Sequence, residues 1–157
     1  MGHGGDNTTQ RHVPTKVTGG GIDEAVVSQV TAGERHSMAL TASGELYAWG
    51  WGEYGQLGHG DIESLNVPRV VGGIEAVTGM AGGGAHSLVV TAEGHVMAFG
   101  SNGIERYEDS DGEDLAEPVI VVDGQLGLGV GVVGALTPTA IDGITMNRGE
   151  EGKEGKE

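Results

Sequence analysis

The sequence contains no cysteine, few prolines and no long apolar run. With 0 Cys in 157 residues, a disulfide scaffold and a zinc site built from thiolates are both excluded. The four prolines argue against a collagen-like chain or a proline-rich linker. No segment approaches the roughly 18 apolar residues of a membrane span, and the polar start of the chain lacks the apolar segment of a secretory signal. We therefore expect an intracellular protein, cytoplasmic or nuclear.

Basic residues are also scarce. Eight Lys and Arg stand against 23 Asp and Glu, so the net charge at pH 7 is -15. A chain this acidic repels phosphate groups, and we expect neither direct nucleic-acid binding nor a membrane partner. The charge is better suited to basic protein partners or to solubility.

Glycine, in contrast, is abundant, with 32 residues, and the chain repeats with a period of 50. "RHSMALTASGELYAWG" at 35–50 aligns without a gap to "AHSLVVTAEGHVMAFG" at 85–100. Chance would give scattered glycine matches, but it would not also align His-Ser, Thr-Ala and an aromatic-Gly pair in order. The recurring residues that we interpret as structural are Gly33, His36, Gly44, Trp49 and Gly50 with Gly83, His86, Gly94, Phe99 and Gly100.

Each repeat has the pattern of short β-strands. Apolar residues alternate in "SMALT" and "ELYAW", and "TASGE" between them contains a glycine that can adopt a positive φ. We predict a hairpin over 38–49, with strands near 26–31, 37–41 and 46–49 and copies 50 residues later. "VPRVV" supplies a further strand. Four strands in about 50 residues predict an all-β fold of propeller blades, each of four antiparallel strands.

A second phrase shows that one repeat is interrupted. "GQLGHG" begins at Gly55, five residues after Gly50, whereas "GQLGLG" begins at Gly124, 24 residues after Gly100. The additional segment is acidic. We interpret it as a solvated loop, as an arm that docks a basic partner, or as an error in the deduced coding sequence. Its candidate partner contacts are Glu105, Glu108, Asp109, Asp111, Glu113 and Asp114.

The repeats divide the chain into four predicted parts. Residues 1–24 form the tail of a preceding repeat, and 25–76 form a complete repeat. Residues 77–145 form a second repeat with the acidic insertion at 104–123. Residues 146–157, charged and rich in glycine, form a disordered tail.

The residues that could carry chemistry form no catalytic or metal-binding pattern. His36 and His86 recur in the repeat, so we interpret them as groups that satisfy buried backbone atoms rather than as bases or ligands. "GVGVVG" at 129–134 matches a dinucleotide fingerprint, but Pro138 would break the helix that this fingerprint needs. We therefore predict no catalytic residue, no cofactor and no metal.

The two tryptophans have different expected places. Trp49 aligns with Phe99, which predicts a position in the core of the blade. Trp51 aligns with Ser101 and is freer to be exposed. The histidines at variable positions, His59 and His95, are predicted at the surface. The acids Asp61, Glu63, Asp111 and Asp114 are candidate surface contacts.

The phrases "VTAGERHSMAL" and "MAGGGAHSLVV", with "LYAWGWGEYGQLGHG", resemble the repeat signature of the regulator of chromosome condensation family. The resemblance covers about residues 1–145 apart from the insertion. It implies a β-propeller, usually of seven blades. Seven such repeats need about 350 residues, and this chain has roughly two and a half. We expect a fragment of a larger propeller, a truncated product, or a piece that assembles with other copies.

The resemblance also implies function. We expect a protein-interaction scaffold rather than an enzyme, with a basic protein or a small GTPase as partner, and self-association as a further expectation. The alternative is a guanine-nucleotide exchange factor for a small GTPase, as the founding member is. The family's ultraviolet-B photoreceptor is disfavoured, because Glu34 and Gly84 stand where its sensing tryptophan would be. A regulatory propeller from a ubiquitin ligase stays open.

Overall fold

Eight strands account for nearly all of the regular structure in the described part of the chain. The computed structural model describes residues 12–103, 124–129 and 132–145. The strands are β1 (Val27–Ala32), β2 (His36–Thr41), β3 (Leu46–Gly50), β4 (Leu65–Val70), β5 (Val77–Gly82), β6 (His86–Thr91), β7 (His95–Ser101) and β8 (Gly134–Thr145). A single 3₁₀ turn at Ile22–Glu24 precedes them.

The strands form two four-stranded antiparallel sheets, in which each strand pairs with the next along the chain. The orders are β1-β2-β3-β4 and β5-β6-β7-β8. The hairpin predicted over 38–49 is present, and its turn contains Gly44 at φ +87°. The prediction of four-stranded antiparallel blades is confirmed, and the two sheets do not close a ring.

The outer strand of each sheet contains a proline, Pro68 in β4 and Pro138 in β8. Proline has no N–H to donate, so sheets tolerate it only at an edge. The outer position of β4 and β8 therefore explains why these strands can contain a proline. Pro138 lies in strand β8, so the helix that a dinucleotide fingerprint at 129–134 would need does not follow this segment.

The main core lies between the two sheets. Alternation in β2 places Met38 and Leu40 on the face that meets the second sheet. Phe99 and Met38 are both 0% exposed. The cluster consists of Met38, Leu40, Leu46, Ala48, Leu57, Val71, Val77, Val89 and Phe99. Burial of these side chains from both sheets is what holds the two blades together.

A smaller cluster covers part of the other face of the first sheet. It contains Ile22, Ala39, Tyr47 and Trp49, with Val17 packed against it. The chain that precedes β1 therefore lies over β3 and shields Trp49 from solvent. Trp49 is a core residue in the structure, at the position that Phe99 has in the second sheet.

Several predicted features lie outside the described residues. These are residues 1–11, the acidic insertion at 104–123 and the charged tail at 146–157. The division of the chain at 24, 76 and 145 likewise stays a prediction. In the part of the chain that the structure describes, no helix has the length and apolar character needed to span a membrane.

Candidate functional site

The connections that leave both blades in the same direction form what we call the loop end. It comprises the turn at 33–35 between β1 and β2, the equivalent turn at 83–85, and the connections that follow β3 and β7. Successive strands run antiparallel, so these four connections must emerge together. The backbone N–H of Glu34 donates to the carbonyl oxygen of Gly83 at 3.3 Å and joins the two turns.

A cleft of about 490 Å³ lies at the loop end, between the two blades. Both polar and aromatic side chains line it. The lining residues are Glu34, Arg35, Trp51, Tyr54, Gly84, Ala85, His86, Ser101, Gly103 and Gln125. Loops held by a rigid sheet are the usual place for binding residues, so this cleft is the candidate functional site.

The wall of the cleft on the first blade is an aromatic and cationic cluster. The rings of Trp51 and Tyr54 meet edge to face, with centroids 5.0 Å apart. The guanidinium carbon of Arg35 lies 5.3 Å from the centroid of the Trp51 ring, within the range of a cation–π contact. Arg35 also lies 3.7 Å from the carboxylate of Glu34, and both side chains are well exposed. Trp51 is partly buried, where the sequence predicted greater exposure.

Both ends of the acidic segment are fixed at this cleft. Gly103, before the segment, and Gln125, after it, line the cleft. The backbone N–H of Gly124 donates to the carbonyl oxygen of Asn102 at 3.2 Å, and the two sides of the connection are thus held together. The six predicted acidic contacts between Glu105 and Asp114 are outside the described residues, but their tether is at the cleft.

Asn102 is the residue that fastens this connection, and the sequence reasoning missed it. Its buried amide donates to the carbonyl oxygen of Val132 and accepts from the N–H of Leu126, each at 2.6 Å. The aligned position in the first repeat is Gly52. A Gly-to-Asn difference at the start of the longer connection was the available signal, because an asparagine side chain can both donate and accept hydrogen bonds and glycine has no side chain to do so.

A second polar feature links the two blades. His36 Nε2 lies 2.9 Å from Ser87 Oγ, and Ser87 Oγ donates to the carbonyl oxygen of Gln56 at 2.9 Å. The serine hydroxyl has one hydrogen, so His36 Nε2 must be the donor to it. In the neutral ring Nδ1 of His36 then carries no proton, and it is buried without a hydrogen-bond partner among the described residues.

This contact adds to the interpretation of His36. The sequence analysis interpreted His36 as a structural group that satisfies buried backbone atoms at a hairpin. The ring reaches across to a side chain of the next blade, because His36 begins β2 on the face that meets the second sheet. The two aligned "His-Ser" pairs thus contribute one residue each to a contact between blades.

Burial, together with the smaller effect of the nearby His86, lowers the pKa of His36 from 6.5 to about 4. The folded chain therefore holds His36 neutral at pH 7. A histidine that is harder to protonate when folded stabilises the protein fully above pH 6.5, and this contribution falls as the pH drops toward 4. We expect wild type to lose about 2 kcal/mol more between pH 7 and pH 5 than His36→Gln, measured by urea unfolding.

The matched control is His95→Gln. His95 is exposed and pairs only loosely with Glu93, at 3.4 Å. Its replacement should change the free energy of unfolding at pH 7 by no more than about 0.5 kcal/mol, as for other exposed positions. Equal pH dependence in wild type and His36→Gln would contradict the assignment of a buried neutral imidazole.

The other predicted structural residues lie at turns and strand ends. Gly33 and Gly83 precede β2 and β6, and the rings of His36 and His86 pack against them so closely that no Cβ fits. Gly44 and Gly94 are in hairpin turns at φ +87° and +86°. Gly50 is the last residue of β3 and Gly100 the next-to-last residue of β7, at φ +108° and +104°. These positions use the conformations that glycine alone adopts readily.

The remaining histidines and acids do not form a site. His59 is partly buried, with Nε2 3.4 Å from the carbonyl oxygen of Ala48, and burial lowers its pKa. Asp61 lies 3.6 Å from Arg69, and its side-chain oxygen accepts from the N–H of Glu63. Among the residues that the structure describes, no group of three His, Asp or Glu side chains could hold a metal ion.

Comparison with known proteins agrees with this architecture. Residues 43–90 and 27–56 each match the family described as the Regulator of chromosome condensation (RCC1) repeat. The Ultraviolet-B receptor UVR8 of Arabidopsis thaliana is 46% identical over 61 residues, which cover 39% of this chain and 13% of the receptor. Human RCC1 domain-containing protein 1 is 56% identical over 43 residues, 27% of this chain and 11% of that protein. The matches thus span a small part of each relative.

Solved structures show the same fold. The crystal structure of human WBSCR16 has a TM-score of 0.60 and 28% identity, over 79% of this chain and 26% of that one. Prp20p from Saccharomyces cerevisiae, studied with its binding to Gsp1p and histones, has a TM-score of 0.50 and 22% identity, over 75% of this chain and 27% of that one. The matched segments and the two four-stranded blades show that this chain contains repeats of the regulator of chromosome condensation (RCC1) type.

Proposed function

We propose that this chain is a protein-interaction scaffold whose loop end binds a basic protein. The observation that carries the proposal is the shared location of three features at one cleft. The Arg35–Trp51–Tyr54 cluster forms one wall, Glu34 adds a carboxylate, and the acidic segment is tethered through Gly103 and Gln125. Tryptophan, tyrosine and arginine are the side chains most enriched where a few residues dominate protein binding.

Charge supports a basic partner. The chain carries a net charge of -15, and the acidic residues Glu105, Glu108, Asp109, Asp111, Glu113 and Asp114 all belong to the tethered segment. Acidic groups near a contact surface attract a basic partner and speed its encounter, and salt screens this attraction within about 8 Å at physiological ionic strength. In the proposal, the aromatic cluster supplies the short-range contact and the acidic segment supplies the attraction.

We further propose that residues 12–24 belong to a preceding repeat. Val17 and Ile22 pack against Trp49 on the first sheet. Val71 and Ile74 pack in the same cluster as Phe99, at the equivalent place on the second sheet. The segment before β1 thus packs on the first sheet at the place where the chain that follows β4 packs on the second sheet.

The test of function uses core histones as the basic probe. Trp51→Ala is expected to weaken binding by about 2 kcal/mol, roughly 30-fold, because it removes the centre of the aromatic cluster. Glu34→Gln should weaken binding less and should reduce its salt dependence. Binding can be followed by isothermal titration calorimetry at low and high salt.

The matched control for charge is Glu93→Gln, which removes one exposed carboxylate from the opposite end of the second blade. It should leave histone affinity nearly unchanged. Binding that does not respond to Trp51→Ala or to salt would contradict the proposed cleft. Nucleotide release from a panel of small GTPases, measured in parallel, tests the alternative. Release accelerated to the level of a full-length exchange factor would replace the scaffold with an exchange factor.

A further inference from the structure

Each sheet has one face that no other sheet covers in the described part of the chain. On the second sheet we call it the donor face, defined by His86, Leu88, Val90 and Val96. On the first sheet we call it the acceptor face, defined by Val27, Val30 and Ser37. An apolar groove of about 610 Å³ runs beside these acceptor residues. Both faces lie apart from the Arg35–Trp51–Tyr54 wall of the cleft at the loop end, and His86 is the one residue that the donor face shares with the lining of that cleft.

The donor face repeats a surface that is already buried elsewhere in the chain. Leu88, Val90 and Val96 align with Met38, Leu40 and Leu46 of the first sheet. The first-sheet residues are buried against the second sheet, whereas their counterparts on the donor face are partly exposed. His86 likewise aligns with His36 and is more exposed.

The acceptor face repeats the other half of the same interface. Val77 is 3% exposed where the second sheet meets the first, and its counterpart Val27 is 40% exposed. Met80 packs against the central core, and its counterpart Val30 is 73% exposed. Ser87, which receives the hydrogen bond from His36, is fully buried, and its counterpart Ser37 lines the groove.

We propose that a second copy of this chain binds head to tail, with the donor face of one copy on the acceptor face of the next. The two open faces match, position by position, the two halves of the interface between the chain's own blades. Leu88 and Val90 of one copy would fill the groove of the next, and His86 Nε2 would donate to Ser37 Oγ as His36 Nε2 donates to Ser87 Oγ.

The segment before β1 leaves room for this contact. In the interface between the chain's own blades, Leu57 and Val71 pack in the cluster of Phe99, and residues of β2 pack in the same cluster. One face of the second sheet therefore has room both for the connecting segments and for β2. Val17 and Ile22 cover Trp49 in the same manner and leave β1 and the start of β2 open to the groove. The segment therefore forms an edge of the acceptor face and does not block it.

The polarity of this contact has two consequences. A head-to-tail interface uses different surfaces on the two partners, so assembly continues past a dimer until a ring closes or a filament grows. Each copy also carries a charge of -15, so copies repel one another and added salt should strengthen assembly. Binding of a basic partner at the loop end has the opposite salt dependence, which separates the two proposals.

The test combines two single variants in sedimentation velocity, from about 1 µM to about 1 mM protein. Val30→Glu places a carboxylate on the acceptor face, and Leu88→Glu places one on the donor face. Each variant alone should associate about 100-fold more weakly than wild type, because it would bury an unpaired charge. Mixed in equal amounts, they should form a one-to-one dimer that grows no further, since each retains the face that the other lacks.

The outcomes separate the alternatives. Wild type that stays monomeric over the whole range overturns the proposal. Assembly lost with only one variant, or not restored as a dimer by mixing, also overturns it, because it indicates that one face pairs with itself. Far-ultraviolet circular dichroism checks folding, and Val96→Glu replaces Leu88→Glu if the latter unfolds.

Cross-linking tests the register. The chain has no cysteine, so single introduced cysteines react alone. A Ser37→Cys copy mixed with a His86→Cys copy should be joined by a short bis-maleimide, because the two positions would meet across the interface. Ser43→Cys, in the turn at the opposite end of the first blade, is the control and should not be joined to His86→Cys. Equal yields for the two pairs would contradict the proposed register.

Discussion

Replacing Phe99 by alanine is expected to lower the free energy of unfolding by about 4 kcal/mol, the largest effect of any substitution considered for this chain. The ring is 0% exposed and lies in the core that joins the two sheets. Its removal leaves a cavity between blades whose positions are fixed by other contacts, so the site cannot fully collapse. Urea unfolding, followed by circular dichroism, measures the change.

Val30→Ala is the control for Phe99→Ala. Val30 is apolar but 73% exposed on the first sheet, so its truncation should change the free energy of unfolding by no more than about 0.5 kcal/mol at low protein concentration. A loss below about 1 kcal/mol for Phe99→Ala would mean that the two sheets do not share a core.

Replacing Gly50 by alanine is expected to destabilise the chain by about 3 kcal/mol or more. Gly50 has φ +108°, a conformation that disfavours any side chain by about 1–2 kcal/mol. An added Cβ would also lie 2.6 Å from the carbonyl oxygen of Arg35 and 2.8 Å from the Cα of His36. These are backbone atoms of the adjacent strand start, so they can move only by disturbing the pairing of β2 with β3.

Two other glycines separate the causes of this effect. Gly73 has φ +72° but no atom within 4 Å of an added Cβ, so Gly73→Ala should show the conformational part alone, about 1 kcal/mol. Gly72 has neither a positive φ nor a close neighbour, and Gly72→Ala should be close to neutral. If the three variants unfold at the same urea concentration, close backbone approach at Gly50 is not what requires glycine there.

The blade itself could be predicted closely from the sequence. The gapless repeat and the alternation in "SMALT" and "ELYAW" predicted β1–β3 and β5–β7, six of the eight strands, to within two residues at each end. Such patterns are local, because side chains on a strand alternate between faces and a tight hairpin needs a residue with positive φ. Gly44 and Gly94 therefore predict their turns from the local sequence alone.

The contacts between blades could not be predicted in the same way. The sequence showed that His36 and Ser87 each belong to a repeated "His-Ser" pair, and it predicted a structural role for the histidine, but it did not name Ser87 as its partner. Their meeting depends on how the two sheets pack, which brings together residues 51 positions apart. Trp51, Tyr54 and Asn102 were inconspicuous for a related reason, since they lie in connections whose shape the period of the repeat does not fix.

The sequence by itself determined the repeat pattern, the all-β class, most of the strands and the glycine positions, because all of these depend on residues close together in the chain. Only the tertiary structure decided which face of each sheet is covered. The face of the first sheet with Met38 and Leu40 packs on the face of the second sheet with Val89 and Phe99. That packing buries Met38 and leaves its counterpart Leu88 partly exposed, and it buries Ser87 and leaves Ser37 beside a groove. Residues at corresponding positions of the two repeats thus differ in burial, because burial depends on the neighbouring blade and not on the local pattern.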